Sequence, residues 1–280
     1  MATLATIAER SLRDGDPVAA LAELQARVRD NPADAQLRVF LFQLLCVLGQ
    51  GERALNQLKV ACELDPIALA MAQVYGEAVR CEAMRREVFE GRKSPMVLGE
   101  PEQWLALLIE SLLTAGHGNQ VHAGELRARA LEEADTSTGS IDGRAFTWIA
   151  DADSRLGPIL EAIVNGRYYW IPFHRIQSIA IEAPVDLRDV VWLPAHFTWS
   201  NGGELVGLIP SRYPGSEHSD EPAIRLARKT VWQQAGETAA IGLGQRMLAT
   251  DGGELALLDV RRIDLIAPVA DSSEVAAETP

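Results

Sequence analysis

The first third of the sequence repeats with a period of 34 residues, and this repeat limits the fold more than any other feature. Each repeat has a glycine in a turn, a small residue followed by leucine, and then a proline. The equivalent positions are Gly15 and Gly49, Ala20-Leu21 and Ala54-Leu55, and Pro32 and Pro66. This period is typical of tetratricopeptide helix pairs. Proline marks the point where a helix has already ended, because it lacks the N–H that a helix interior needs.

The helical pattern extends to about residue 135. We predict helices over residues 3–13, 17–30, 34–48, 51–64, 67–89, 101–115 and 119–134. Asp16 supplies an N-cap, and Pro17 suits a first helical position. The segment 34–48 carries large apolar residues around most of its circumference, so we expect it to be buried between its neighbours. Stacks of such helices have concave surfaces that bind peptides or helices.

An aromatic segment marks the start of a second domain. Six of the 16 aromatic residues lie between Phe146 and Phe173, and aromatic side chains dominate protein cores. The pattern predicts a strand over 146–149, a short helix from about 156 to 163, a turn at Asn165-Gly166 and an aromatic strand over 167–173. Further on, a strand is predicted over 176–181. Asn201-Gly202 and Asp251-Gly252-Gly253 indicate two hairpins.

These patterns predict an α+β protein. A tetratricopeptide-like α-α superhelix occupies residues 1–135, and a small, polar linker occupies 136–143. A mostly β domain with some α-helix follows over 144–267. Residues 268–280 are small, acidic and poor in aromatic side chains, so we predict a disordered tail there.

Composition excludes several functional classes. The net charge of −13 argues against nucleic-acid binding, which needs clustered cations, and favours a basic partner. The N-terminus lacks a cationic start followed by an apolar run, and no apolar run approaches about 18 residues, so we predict neither export nor membrane insertion. The three cysteines form no CxxC motif and are expected to be reduced thiols of a cytosolic protein.

The best candidate for chemistry is the Asp151-x-Asp153-Ser154-Arg155 motif. Two carboxylates at this spacing suit a hard cation such as Mg²⁺, but no third ligand lies near them in sequence. Arg155 can instead neutralise one carboxylate, and Asp153 or Ser154 can cap a helix. The histidines are scattered, and no nucleophile or phosphate-binding motif occurs. We therefore predict no catalytic residue, no cofactor and no metal, with a metal on Asp151 and Asp153 as the alternative.

Guanidinium groups next to aromatic rings are the candidates for partner binding, because arginine and aromatic residues are enriched at interface hot spots. The predicted contact residues are Trp170, Arg188, Trp192, Arg212 and Tyr213. The same side chains also suit cation–π and ion-pair contacts inside the domain. The sequence leaves this choice open.

Several long blocks resemble one known family. They include RVFLFQLLCVLGQGERALNQL, CEAMRREVFEGRKSP, GEPEQWL, FTWIADADSRLGPILEAIVNGRYYWIPF, DLRDVVW, LIPSRYPGSE, ARKTVW and GQRML. Together they resemble the ImpE/TagJ family of type VI secretion accessory proteins over about residues 10–266. The resemblance implies a cytoplasmic, non-catalytic adaptor that binds the N-terminal helix of the small sheath subunit. It also implies a link to sheath recycling by the ClpV ATPase.

Two other hypotheses remain beside the adaptor. The second is a metal-assisted enzyme that uses Asp151, Asp153 and Arg155. The third is a tetratricopeptide cochaperone that binds C-terminal carboxylates through a cationic clamp. The helical half offers few lysines for such a clamp, namely Lys59 and Lys93.

Overall fold

The computed structural model describes residues 5–100, 102–235 and 239–266. The first half of the chain is helical and the second half is rich in strands, so the protein is α+β. The helices of the first half are α1 (Ala5–Arg13), α2 (Pro17–Asp30), α3 (Ala35–Val47), α4 (Gly51–Leu64), α5 (Leu69–Phe89), α6 (Gln103–Gly116) and α7 (Gln120–Glu133). A 3₁₀ turn, Pro66–Ala68, precedes α5. The predicted disordered tail lies outside the described residues.

The local signals that predicted these helices are present in the structure. The Asp16 carboxylate accepts hydrogen bonds from the backbone N–H groups of Val18 and Ala19 at 3.1 and 2.8 Å, which satisfies free donors at the start of α2. The turn glycines Gly15 and Gly49 have φ values of 86° and 68°. Most of α3 is buried, as predicted for its apolar circumference. The tetratricopeptide-like arrangement of the helices stays a prediction.

The second half is organised around a nine-stranded sheet. Its strands are β1 (Met96–Val97), β2 (Gly139–Ile141), β3 (Arg144–Phe146), β5 (Ile159–Val164), β6 (Arg167–Pro172), β7 (Ile176–Ile181), β8 (Trp192–Trp199), β9 (Glu204–Pro210) and β14 (Arg262–Leu265). Their order is β1-β6-β5-β9-β8-β7-β14-β2-β3. All neighbours are antiparallel except β1 and β6, which are parallel.

Shorter elements complete this half. A three-stranded sheet has the order β13-β12-β4. Its strands are β4 (Ile149–Asp151), β12 (Met247–Thr250) and β13 (Gly253–Ala256). A second pair, β10 (Thr230–Ala235) and β11 (Ala239–Gly244), is antiparallel, and one short helix, α8, spans Pro222–Arg225. The two predicted hairpins are confirmed as β8–β9 and β12–β13.

The predicted short helix at 156–163 is wrong. Residues Ile159–Val164 form β5, and every side chain of this strand is buried. The spacing of apolar residues fits a helix, but a run that is apolar on both faces also fits a strand in the middle of a sheet. Pairing with β6 on one side and β9 on the other decides between the two. Residues 136–143, predicted as a linker, contain β2, which pairs with β14 and β3.

The two halves of the chain share a hydrophobic core, and a second core lies within the strand-rich half. Leu45 and Leu105 from the helices belong to the same buried cluster as Trp170 and Trp192 from the strands. The strand β1, which lies between α5 and α6, joins the sheet through β6. Within the described ranges, none of the helices combines the length and apolar character needed to span a bilayer.

Candidate functional site

A buried network of charges connects α5 to the sheet. Arg85 on α5 donates to Glu161 on β5 through Nε and Nη2, at 2.7 and 2.9 Å. Arg246 Nη2 donates to Oε2 of the same carboxylate, which Arg85 Nη2 also contacts, and Arg246 Nη1 is 2.6 Å from Asp151 Oδ2. Tyr168 adds a hydroxyl bond to Glu161 at 2.5 Å. Every charged group in the network therefore has a partner of opposite charge, as buried ions require.

The surroundings of the network shift the pKa values of its two carboxyl groups in opposite directions. Burial raises the pKa of Glu161, but the guanidinium groups of Arg85 and Arg246 outweigh burial and lower that pKa to about 2. Burial raises the pKa of Asp151 to about 6, against the attraction of Arg246. The difference follows from the number of cations: Glu161 contacts two, whereas Asp151 contacts one.

The Asp151-x-Asp153-Ser154-Arg155 motif is part of this interior. Asp151 Oδ1 accepts from the backbone N–H of Asp153 at 2.8 Å and from the Tyr213 hydroxyl at 3.0 Å. Asp153 is paired with Arg155, at 2.5 Å, and accepts from the backbone N–H of Gly242 at 2.9 Å. Both carboxylates are thus neutralised by guanidinium groups. Among the described residues no group of three potential metal ligands is found.

Four of the five predicted partner-contact residues are buried, and a partner-binding role for them stays a prediction. Trp170 and Tyr213 are wholly inside the protein. A partner reaches those two side chains only if the residues above them move. Arg188 is half-buried, 4.5 Å above the ring of Tyr75, so it forms the intradomain cation–π contact that the sequence left open.

Trp192 and Arg212 lie at the wall of a cleft between the two halves. This central cleft has a volume of about 420 Å³. It lies between the α3–α4 turn and α5 on one side and residues 191–217 of the second half on the other. Its apolar wall consists of Leu55, Val79, Val191 and Trp192.

A larger groove lies at the N-terminal end of the molecule. This N-terminal groove has a volume of about 720 Å³ and lies between α1, α3, the 3₁₀ turn before α5 and residues 184–190. Its apolar lining is formed by Leu12, Ala35, Val39, Phe40, Ala68, Val185, Leu187 and Val190. Three carboxylates and one guanidinium line it, namely those of Glu9, Asp65, Asp186 and Arg13. Asp186 is paired with the adjacent Arg188 at 2.7 Å, so the negative excess rests on Glu9 and Asp65. The groove therefore combines an apolar floor with a negative rim.

The relationship of this chain to known proteins agrees with the sequence blocks. Residues 143–264 match the family described as ImpE protein. The type VI secretion system accessory component TagJ of Pseudomonas aeruginosa is 51% identical over 263 residues, which are 94% of this chain and 92% of that protein. This chain belongs to the ImpE/TagJ family. A crystal structure of protein VPA1032 from Vibrio parahaemolyticus aligns with a TM-score of 0.85 at 28% identity, over 94% of this chain and 98% of that one.

For this ImpE/TagJ protein, sequence reasoning missed the centre of the buried network. Arg85, Glu161 and Arg246 were not candidates. One signal was present: Glu161 is the single charge in the run Ile159–Val164, and a lone charge in an apolar strand implies a buried partner. The partner itself lies 76 or 85 residues away along the chain. Nothing local indicates it.

Proposed function

We propose that this protein is a cytoplasmic accessory adaptor of a type VI secretion system that acts by binding another polypeptide. The proposed partner is the N-terminal helix of the small sheath subunit, and the ClpV ATPase that recycles the sheath is a further partner. The name of the 51% identical Pseudomonas aeruginosa relative supports the accessory role. The family resemblance supports the choice of partner.

The N-terminal groove is the observation that carries this proposal. Helix-in-groove binding needs an apolar channel that accepts side chains at positions i, i+3 or i+4, and i+7. The lining from Leu12, Phe40 and Val190 provides such a channel. A tetratricopeptide-like stacking of α1–α4, which we propose for this region, places the channel on the surface that repeat proteins use for binding.

The negative rim of the groove selects among amphipathic helices. Glu9 and Asp65 outnumber Arg13 there, while Asp186 is already paired with Arg188, and the chain as a whole carries a net charge of −13. A helix with lysine or arginine on its polar face is therefore attracted, and a helix with an acidic polar face is repelled. The proposal accordingly requires a basic polar face on the sheath helix.

A charge placed in the groove tests the proposal. Val185 is 86% exposed at the groove, so Val185→Arg leaves the core intact while it adds a like charge and fills apolar space. We expect the affinity for a fluorescent peptide of the sheath subunit's N-terminal helix to fall at least tenfold, about 1.4 kcal/mol. Fluorescence anisotropy measures this change.

The matched control is Val121→Arg. Val121 is 78% exposed on α7, outside the groove, so the same substitution there is expected to leave the affinity unchanged. Equal affinities for the two variants would show that the peptide binds elsewhere. No binding by the unmodified protein would remove the small sheath subunit as the partner.

A further inference from the structure

A second site follows from one buried arginine that forms no ion pair with any of the described residues. Arg212 is 5% exposed and lines the central cleft. Its Nη1 donates to the backbone carbonyl of Val47 at 2.9 Å and to that of Arg225. Both of these bonds involve Nη1, and no ion pair of the guanidinium is found within the described part of the chain. Nε and Nη2 are not among the enclosed side-chain atoms that lack a partner, so they face open space. The neighbouring buried Arg85 and Arg246 both have carboxylate partners, at 2.7 and 2.6 Å.

The two carbonyl bonds explain why this cation is tolerated. Val47 and Arg225 end α3 and α8, and the carbonyl groups at the end of a helix such as α3 carry partial negative charge. Partial charges do not replace a counterion, however, because a buried cation needs a partner of full opposite charge. Burial also lowers the pKa of Arg212, although the carboxylate of Glu217 opposes this effect. The side of the guanidinium that carries Nε and Nη2 is thus suited to an anion that enters the cleft.

The other charges of the cleft restrict what that anion is. Glu82 accepts from the indole N–H of Trp192 at 2.9 Å and from Arg85 at 3.4 Å. Glu217 faces Arg86 at 3.7 Å. Glu52 and Arg80 also line the cleft, so its three carboxylates match its three guanidinium groups and it has no positive excess for a dianion such as phosphate. A single carboxylate on an apolar group fits better, because Leu55, Val79 and Val191 line the space beside Arg212.

We propose that the central cleft binds a carboxylate attached to an apolar group, with Arg212 as its counterion and the wall around Trp192 as the contact for the apolar part. The chemistry is shared by a free small carboxylic acid and by the C-terminal carboxylate of a polypeptide that ends in an apolar residue. The cleft is separate from the N-terminal groove. This proposal therefore does not rest on binding of the sheath helix.

The probes are N-acetyl-leucine, an acetylated tripeptide ending in leucine, and the carboxamide form of each. The backbone and indole N–H signals of the ¹⁵N-labelled full chain, among them the indole of Trp192, report binding in NMR spectra. We expect the acids to shift the Trp192 signal and the amides to bind at least tenfold more weakly. Inorganic phosphate is expected to cause no shift. A tripeptide that binds more tightly than N-acetyl-leucine indicates a polypeptide terminus as the ligand, and equal affinities indicate a small acid.

Three outcomes overturn the proposal: acids and amides bind equally, phosphate competes with the acids, or neither acid shifts the Trp192 signal at millimolar concentration.

A variant that fills the cleft provides a second test. Substitution of Arg212 itself would also remove its bonds to Val47 and Arg225, so it would not isolate the loss of the binding site. Ala83 is exposed on α5 and lines the cleft, and Ala83→Trp fills the space without touching Arg212's carbonyl partners. It should abolish acid binding, whereas Ala128→Trp, at an exposed position on α7, should not. Binding that survives in Ala83→Trp contradicts the site.

Discussion

At the scale of single residues, Glu161 holds the two halves of the protein together. Its carboxylate is fully buried and contacts Arg85 from the helical half and Arg246 from the strand-rich half. Tyr168 donates to the same group, and Trp170 donates to Tyr168 at 2.6 Å. One carboxylate thus organises a chain of polar groups inside an otherwise apolar core.

Glu161→Gln is expected to be severely destabilising. The variant keeps the shape of the side chain but leaves Arg85 without its carboxylate and Arg246 with Asp151 alone. Removing one member of a buried ion pair typically costs about 3–5 kcal/mol. Urea denaturation at neutral pH measures the loss. A loss within about 0.5 kcal/mol, the range usual for surface substitutions, would mean that the network contributes little to stability.

The effect of Glu161→Gln should depend on pH. The pKa of Glu161 is lowered from 4.5 to about 2 in the folded protein, so its contribution is fully present above pH 4.5 and is lost as the pH falls towards 2. The difference between wild type and variant should therefore shrink over that window. Asp151→Asn is the control, and its stability difference from wild type should change with pH in the opposite direction, because the pKa of Asp151 is raised from 3.8 to about 6. Wild type should lose stability relative to this variant as the pH rises through that interval. A Glu161→Gln difference that stays constant down to pH 2 would contradict the assignment.

At the scale of elements, the turn between α3 and α4 is pressed against the second half of the chain. Gly49 has a φ of 68°, and a Cβ built on it would lie 2.5 Å from Cγ of Glu217. Gly118, in the turn between α6 and α7, has a φ of 87° with nothing within 4 Å of such a Cβ. Both turns have the same backbone hydrogen bonds after the helix. Substitutions at these two glycines therefore distinguish the effect of backbone conformation on stability from the effect of contact between the two halves.

Gly49→Ala should cost more stability than Gly118→Ala. Both variants place a Cβ in the left-handed region, at a cost of about 1–2 kcal/mol, and only the first displaces Glu217. Thermal unfolding of the two variants measures the difference. Equal losses would indicate that Glu217 moves away freely and that the turn does not restrain the second half.

The helices and hairpins could be predicted where the sequence pattern that indicates them is local. Helices in the first half follow from 3.6-residue periodicity together with caps such as Asp16, and hairpins follow from turn residues such as Asn201-Gly202. The segment 156–163 was misassigned because its apolar pattern is compatible with both helix and strand, and pairing with distant β9 determines the outcome. The strand in the predicted linker, β2, pairs with nearby β3 and with β14, more than 100 residues later. Nothing local encodes the pairing with β14.

At the scale of the whole molecule, the sites were only partly predictable. The closeness of arginine to aromatic residues in the sequence predicts Trp192 and Arg212 as contact residues, and both line the central cleft. The N-terminal groove was not predicted as a set of residues, because it is assembled from α1, α3 and residues 184–190. Its negative rim agrees with the acidity of the whole chain, which was evident from the sequence.

The charge of the molecule leads to a prediction about salt. Raising the ionic strength from about 0.05 M to about 0.5 M shortens the Debye length from about 14 Å to about 4 Å. Attraction between the negative rim and a basic helix is then screened, so the affinity for the sheath peptide should fall. Anisotropy titrations at both salt concentrations measure this. An affinity that is unchanged or rises with salt would mean that apolar contacts alone drive binding.

The central claim is that a basic amphipathic helix lies in the N-terminal groove, and a crystal structure of the full chain with the sheath subunit's N-terminal peptide tests it most directly. The predicted result is a helix between α1, α3 and residues 184–190, with its apolar side chains against Phe40 and its basic side chains towards Glu9 and Asp65. A peptide bound at any other surface, or bound in the groove as an extended strand, would contradict the claim.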